Sequence, residues 1–188
     1  MRVLIVDDES LIRMDLRDII ESCGHEVVAE GTNGVEAIKL CKEYKPDIVL
    51  MDVKMPELDG IEAARQIGFH HEAPVVLLTS YSQQDLINKA RESGVYGYLI
   101  KPVREEQLVP TLEMALGRYH SDAELREKMA ELEQSLEDRK IIQKGTGILM
   151  ELYSISEEEA YNRIRALSMK KRDSIVNICK ALINQVLK

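Results

Sequence analysis

No stretch of this chain approaches the ~18–20 consecutive apolar residues that a membrane-crossing helix needs. The N-terminus, MRVLIVDDE, has no basic lead-in, no long apolar segment and no small-residue cleavage site, so no secretory signal is expected. Cysteine is scarce: Cys23, Cys41 and Cys179 are odd in number, far apart and in no ligand spacing. This argues against a disulfide framework or a zinc site and fits buried free thiols in a reducing cytoplasm. Internal repeats and low-complexity tracts are absent as well. What remains is 188 residues, 45% apolar and 31% charged, enough for one large domain or a standard domain plus a small one.

Charge is unevenly placed. The net charge is -8, yet residues 139–188 hold ten Lys/Arg against five Asp/Glu, and residues 1–138 hold 15 against 28. An acidic front and a basic tail suggest two units with different partners. For the tail, nucleic acid is the leading anionic partner, and a merely solvated helical surface is the alternative.

The front alternates short apolar runs with helical periodicity. Strands are expected near Arg2–Val6, Glu26–Glu30, Asp47–Met51, Val75–Leu78 and Tyr96–Ile100, most of them continuous apolar runs that suit burial on both faces. Helices are expected through Leu11–Ile20, Val35–Cys41 and Ile61–Ile67. A fourth is expected through Leu86, Ile87 and Ala90, with Ser82 as its N-cap and Asp85 in its first turn. Strict β/α alternation implies a parallel, doubly wound sheet.

From Arg104 onward the pattern is helical. Leu108, Leu112, Ala115, Leu116 and Tyr119 form a stripe that would close the sheet. Leu125, Met129, Leu132 and Leu136 follow at coiled-coil spacing among charged residues, which favours self-association over packing on the same chain. The seam is only about three heptads long, and the helix that carries it is expected to run on through Ile141-Ile142 to Leu149-Met150. Ser156 and Glu159 form a capping box for a helix over Glu157–Leu167, and a last helix spans Ser174–Leu187 with Ile175, Ile178, Leu182 and Val186 on one face.

Four apolar strands end in polar residues: Asp7–Asp8, Asp52, Thr79–Ser80 and Lys101–Pro102. In a parallel sheet these ends share one edge, where such folds bind ligands. Three crowded carboxylates call for a divalent cation, and oxygen-only ligands suit Mg2+. An aspartate can accept a phosphoryl group as an acyl phosphate, Lys101 supplies charge for a phosphoryl oxygen, and Thr79 supplies a hydroxyl. A cis Lys101–Pro102 peptide is one way to aim the lysine inward. A single aspartate after a strand is usually a turn residue or a helix cap; four strand ends with complementary chemistry are not explained that way.

Residues 1–118 resemble the receiver domain of two-component response regulators. The matching motifs are Val6-Asp7-Asp8-Glu9, Met51 to Gly60 (MDVKMPELDG), Thr79-Ser80 and Lys101-Pro102, in order and at family spacing. The resemblance implies a flavodoxin-like five-stranded sheet in the order 2-1-3-4-5, with Asp52 as phosphoacceptor. It implies a Mg2+ ion held by Asp7, Asp8, Asp52 and the backbone carbonyl of Lys54, Asp7 acting through water. Lys101 and Thr79 would complete the catalytic set, with Thr79 and Tyr98 as the switch pair. On its own residues Tyr98 also reads as an ordinary strand aromatic.

The tail contains no short turn feeding a recognition helix. It resembles the ANTAR domain, a three-helix RNA-binding module of transcription antitermination regulators, through Arg139, Ile142, Gly147-Ile148-Leu149-Met150, Ser156, Glu159-Ala160-Tyr161, Ile164-Arg165 and Ser168-Met169. Where many members carry Ala-Lys before the Gly-Ile-Leu-Met run, this chain has Gly145-Thr146. A glycine there weakens a helix by about 1 kcal/mol against alanine.

Together the resemblances imply a receiver over residues 1–118, a coiled-coil linker helix over 119–138 and an ANTAR module over 139–188. The function implied is that of a cytoplasmic bacterial response regulator, not a turnover enzyme. Its partners would be a sensor histidine kinase, structured RNA stem-loops and a second copy of itself, dimerisation being promoted by phosphorylation, and its readout antitermination. Candidate RNA contacts are Arg139, Lys144, Arg163, Arg165, Lys170, Lys171 and Arg172, with Tyr161 or Ser168 near a base. The alternative is an output domain that binds DNA or a protein. A Mg2+-dependent aspartyl phosphatase is a further rival, but no general acid stands within two residues of Asp52.

Overall fold

The computed structural model describes residues 1–70, 72–80 and 94–186. The helix expected over Ser82, Asp85, Leu86, Ile87 and Ala90 lies outside the described residues. Two compact units are present, Met1–Ala123 and Glu124–Lys188.

The first unit is built on a parallel sheet of β1 (Arg2–Val6), β2 (Glu26–Gly31), β3 (Ile48–Asp52), β4 (Val75–Thr79) and β5 (Val95–Ile100), in the order β2-β1-β3-β4-β5. Every neighbouring pair is parallel, with Leu4 opposite Val49, Leu50 opposite Val76 and Leu78 opposite Leu99. Strand ends fall within one residue of those expected from the sequence; β3 reaches one residue further and takes in Asp52 itself. The helices are α1 (Ser10–Ser22), α2 (Gly34–Tyr44), α3 (Gly60–Phe69) and α4 (Glu105–Tyr153).

Side chains alternate across the sheet, so continuous apolar strands feed two cores. On one face Leu4, Val6, Val49, Met51, Val75 and Leu77 meet Ala37 and Cys41 of α2 and Ala63, Ala64 and Ile67 of α3. On the other, Val3, Ile5, Ile48, Leu50, Val76 and Leu78 meet Leu16 and Ile20 of α1 and Leu108, Leu112 and Ala115 of α4. Side-chain caps set two of the helix starts. Asn33 Oδ1 accepts from Glu36 N–H at 2.9 Å, and Asp59 Oδ1 accepts from Glu62 N–H at 2.8 Å.

The second unit holds the later part of α4, then α5 (Glu157–Lys171) and α6 (Ile175–Val186). The helix expected to stop at Leu167 runs on to Lys171. Ser156 Oγ caps α5 by accepting from Glu159 N–H at 3.3 Å, and Glu157, Glu158 and Glu159 in its first turn face Lys170 and Lys171 in its last in the sense the helix dipole favours. Its core is Leu149, Ala160, Ile164, Ile178 and Cys179, flanked by Ile141, Ile142, Met150, Ile175 and Leu182. Upstream on α4, Leu125, Met129, Leu132 and Leu136 stand 58–64% exposed.

The Gly145-Thr146 pair has a packing role that the sequence did not disclose. A Cβ at Gly145 would lie 2.7 Å from the Cβ of Cys179 and 2.8 Å from its Sγ, so the glycine lets α4 and α6 approach closely. Thr146 is 4% exposed and donates its hydroxyl to the Ile142 carbonyl at 2.8 Å. Neither residue stands on the surface of the bundle.

The cysteines are free, as the sequence suggested: Cys41 and Cys179 are buried, whereas Cys23 is only half-buried. Burial, reinforced by the neighbouring Glu72 carboxylate, pushes the Cys41 thiol up to about 12, which keeps it protonated and inert.

Candidate functional site

The carboxyl ends of β1, β3 and β5 bring Asp7, Asp52 and Lys101 together. Lys101 Nζ lies 2.7 Å from Asp7 Oδ2 and 2.6 Å from Asp52 Oδ1. Asp7 is fully buried and Asp52 is 7% exposed. The Lys101–Pro102 peptide is cis. Each carboxylate has a second anchor: Asp7 Oδ1 accepts from Glu9 N–H at 2.9 Å, and Asp52 Oδ2 accepts from Lys54 N–H at 2.7 Å.

Electrostatics follow from this placement. Burial dominates at Asp52 and holds its pKa above the ordinary carboxylate value, while Lys101 pulls it back and Asp7 adds to the rise. Burial also works against the Lys101 ammonium, but the two carboxylates outweigh it and its pKa is raised. A nearly buried carboxylate beside a cation, with one carboxylate more than the ammonium can neutralise, is a site short of positive charge.

Not every residue expected here converges. Asp8 is exposed, and among the described residues no three acidic, His or Cys side chains are gathered closely enough to hold a metal. The physical reason is that the Lys101 ammonium itself bridges Asp7 and Asp52. The donor set still suits a hard cation: all the candidate ligands are oxygens, two of the carboxylates are buried, and Asp8 is next in sequence to Asp7. Thr79, at the end of β4, is 1% exposed and donates its hydroxyl to the Ser80 carbonyl at 3.0 Å. Tyr98 on β5 is 45% exposed.

Two contributors escaped the sequence reading. Arg13 on α1 donates from Nη1 to the Asp7 carbonyl at 2.7 Å and pairs with Glu30 at 3.0 Å, tying α1 and β2 to the strand end that carries the acid. Gly60 packs so tightly that a Cβ there would lie 2.0 Å from the Asp52 carbonyl oxygen, and its N–H donates to the Val53 carbonyl at 2.9 Å. The glycine at the end of the MDVKMPELDG run was visible, but its contact was not.

In the second unit Arg139, Lys144, Tyr161, Arg163, Arg165, Lys170, Lys171 and Arg172 are all exposed, and Ser168 is half-buried. Several have local partners. Arg163 pairs with Glu159 at 2.9 Å and lies 5.4 Å from the centre of the Tyr153 ring. Ser168 donates its hydroxyl to the Asp173 carbonyl at 2.6 Å, closing the α5 C-terminus, where Arg172 adopts a left-handed backbone with φ 52°. Arg139 and Tyr161 border a groove of about 660 Å3 between α4 and α5, but Glu157 and Glu158 border it too.

A parallel sheet in this order, with two buried carboxylates and an ammonium on its carboxyl edge, is the arrangement of a flavodoxin-like receiver. Residues 3–113 match the family described as response regulator receiver domain, and residues 130–183 match the ANTAR domain. Transcriptional regulatory protein PdtaR of Mycobacterium tuberculosis is 39% identical over 182 residues, covering 97% of this chain and 89% of the relative. Chemotaxis protein CheY of Thermotoga maritima is 42% identical over 112 residues, 59% of this chain and 93% of CheY. Among solved structures, the receiver domain of a modulated diguanylate cyclase from Desulfovibrio desulfuricans has a TM-score of 0.59 at 33% identity, covering 64% of this chain and 96% of that one. The chain belongs to the two-component response regulators that carry an ANTAR output domain and regulate transcription. No described helix is long and apolar enough to cross a membrane.

Proposed function

We propose that the chain is a cytoplasmic, phosphorylation-switched RNA-binding regulator. In this reading residues 1–118 receive the signal, 119–138 form a dimerising helix and 139–188 bind RNA stem-loops to promote antitermination. The observation that carries it is the Asp7–Lys101–Asp52 cluster, a buried carboxylate in a pocket short of positive charge. Asp52 accepts the phosphoryl group: a carboxylate oxygen forms a bond to phosphorus as the bond from phosphorus to the kinase histidine nitrogen breaks, leaving an acyl phosphate and a free imidazole. Lys101 stays protonated and moves its contact from Asp52 to a phosphoryl oxygen. Asp7, Asp8, Asp52 and the Lys54 carbonyl would hold Mg2+, which supplies further neutralisation of phosphoryl charge.

The buried Thr79 hydroxyl turns from the Ser80 carbonyl toward the phosphoryl group, and Tyr98 leaves solvent to fill the space vacated. That change favours a dimer along Leu125, Met129, Leu132 and Leu136, whose exposure in a single chain leaves an apolar seam for a second copy. Paired output modules then gain from effective concentration on a two-hairpin target.

Acid-stable mass spectrometry after treatment with a small phosphodonor and Mg2+ tests the acceptor. One phosphoryl group is expected on the wild type and none on Asp52→Ala; unchanged labelling in that variant refutes the assignment. Binding to RNA stem-loops is expected to exceed binding to duplex DNA, and the reverse order favours a DNA-binding output.

A further inference from the structure

Basic residues are spread along all three helices of the second unit, and two of them stand beside acidic side chains. Arg163 is held by Glu159 and Tyr153, and Arg139 shares its groove with Glu157 and Glu158. On the opposite side of α4 a second groove of about 410 Å3 runs between α4 and α6. Lys140, Lys144 and Lys180 border it over an apolar floor of Ile141 and Ile183, with the Asn184 amide at the rim.

The backbone explains why these lysines border one groove. Lys140 and Lys144 are four residues apart and share one face of α4, as Lys180 and Asn184 share one face of α6. Lys144 and Lys180 are the sequence neighbours of Gly145 and Cys179, which pack tightly against each other across the two helices. Three lysines face a single acid, Glu137, whose contact with Lys140 is a loose 3.6 Å between exposed side chains. Among the described residues Lys144 and Lys180 make no ion pair.

We infer that the groove between α4 and α6 binds the phosphodiester backbone of RNA, with Lys144 and Lys180 on adjacent phosphates. This rests on the RNA-binding reading and names its electrostatic footprint. Two of the three lysines, Lys140 and Lys180, lie outside the contacts that sequence motifs suggest. Long aliphatic stems along the isoleucine floor leave the ammonium groups free to follow a curved backbone, and Asn184 offers a donor and an acceptor for a ribose 2′-hydroxyl.

The test uses the full chain, a fluorescein-labelled RNA stem-loop and duplex DNA of the same stem sequence, titrated by anisotropy at several salt concentrations. Lys144→Gln with Lys180→Gln is expected to weaken RNA binding about tenfold and to lower the slope of log affinity against log salt by about 2. Lys144→Arg with Lys180→Arg keeps the wild-type slope, and Lys170→Gln with Lys171→Gln on α5 changes it less. Wild-type affinity and slope in the double glutamine variant overturn the groove while leaving RNA binding intact. Failure of the wild type to bind the stem-loop, or tighter binding to the duplex, overturns the RNA reading and the groove with it. A melting curve for each variant separates lost contacts from lost folding.

Discussion

At the scale of single residues, Lys101 holds the site together. Its ammonium separates two carboxylates that are fully and almost fully buried. Replacing it by methionine leaves both acids without a counterion, and removing one partner of a buried ion pair costs about 3–5 kcal/mol. About 3 kcal/mol is expected, because a fifth of the lysine side chain touches water. The pH dependence has a definite sign. Burial raises the folded pKa of Asp52, so in a window above 3.8 the folded protein keeps a proton that the unfolded chain has released. Stability from this group therefore rises as pH falls through that window. Lys101, whose folded pKa is also raised, contributes with the same sign at the alkaline end: its stability is lost as pH climbs beyond 10.5. Urea midpoints of wild type and Lys101→Met are expected to differ most at pH 7 and to converge on acidification. A constant difference contradicts the paired-charge account. The charged residues of this site were legible because topology alone brings strand ends together. That the lysine rather than the third aspartate fills the space between Asp7 and Asp52 was not, since it depends on side-chain reach.

At the scale of elements, periodicity carried most of the fold. β3 and β4 are buried throughout and read as apolar runs closed by one polar residue, and α1 to α3 follow from their apolar stripes and turn residues. Long-range close approach was invisible. Gly145 looks like a weak point in a helix; in the structure it is the contact with Cys179. Gly145→Ala gains about 1 kcal/mol in helix propensity and forces backbones apart, at a cost of about 1–3 kcal/mol. Net destabilisation of the output bundle is expected in a denaturant titration followed by helical circular dichroism. Recovery by shrinking the facing residue, in Gly145→Ala with Cys179→Gly, identifies the clash as the cause; a more stable single variant contradicts it. Arg13 belongs to the same class of hidden contact. Nothing in its spacing announces that it binds the Asp7 carbonyl.

At the scale of the whole molecule, an acidic receiver and a basic output module are joined in one chain, and the account makes the first control the second through self-association. The seam Leu125, Met129, Leu132 and Leu136 is exposed and short, so a dimer is marginal alone and responsive to a small bias. The measurement that bears most directly on this claim is RNA affinity with and without phosphorylation, on one stem-loop and on two stem-loops in tandem, for wild type, Asp52→Ala and Leu132→Glu. Phosphorylated wild type is expected to bind the tandem RNA at least tenfold tighter than the unphosphorylated protein. Both variants should lose that gain, and single-loop affinity should stay nearly constant. Equal tandem affinity before and after phosphorylation, or a gain that survives Asp52→Ala, would contradict the account.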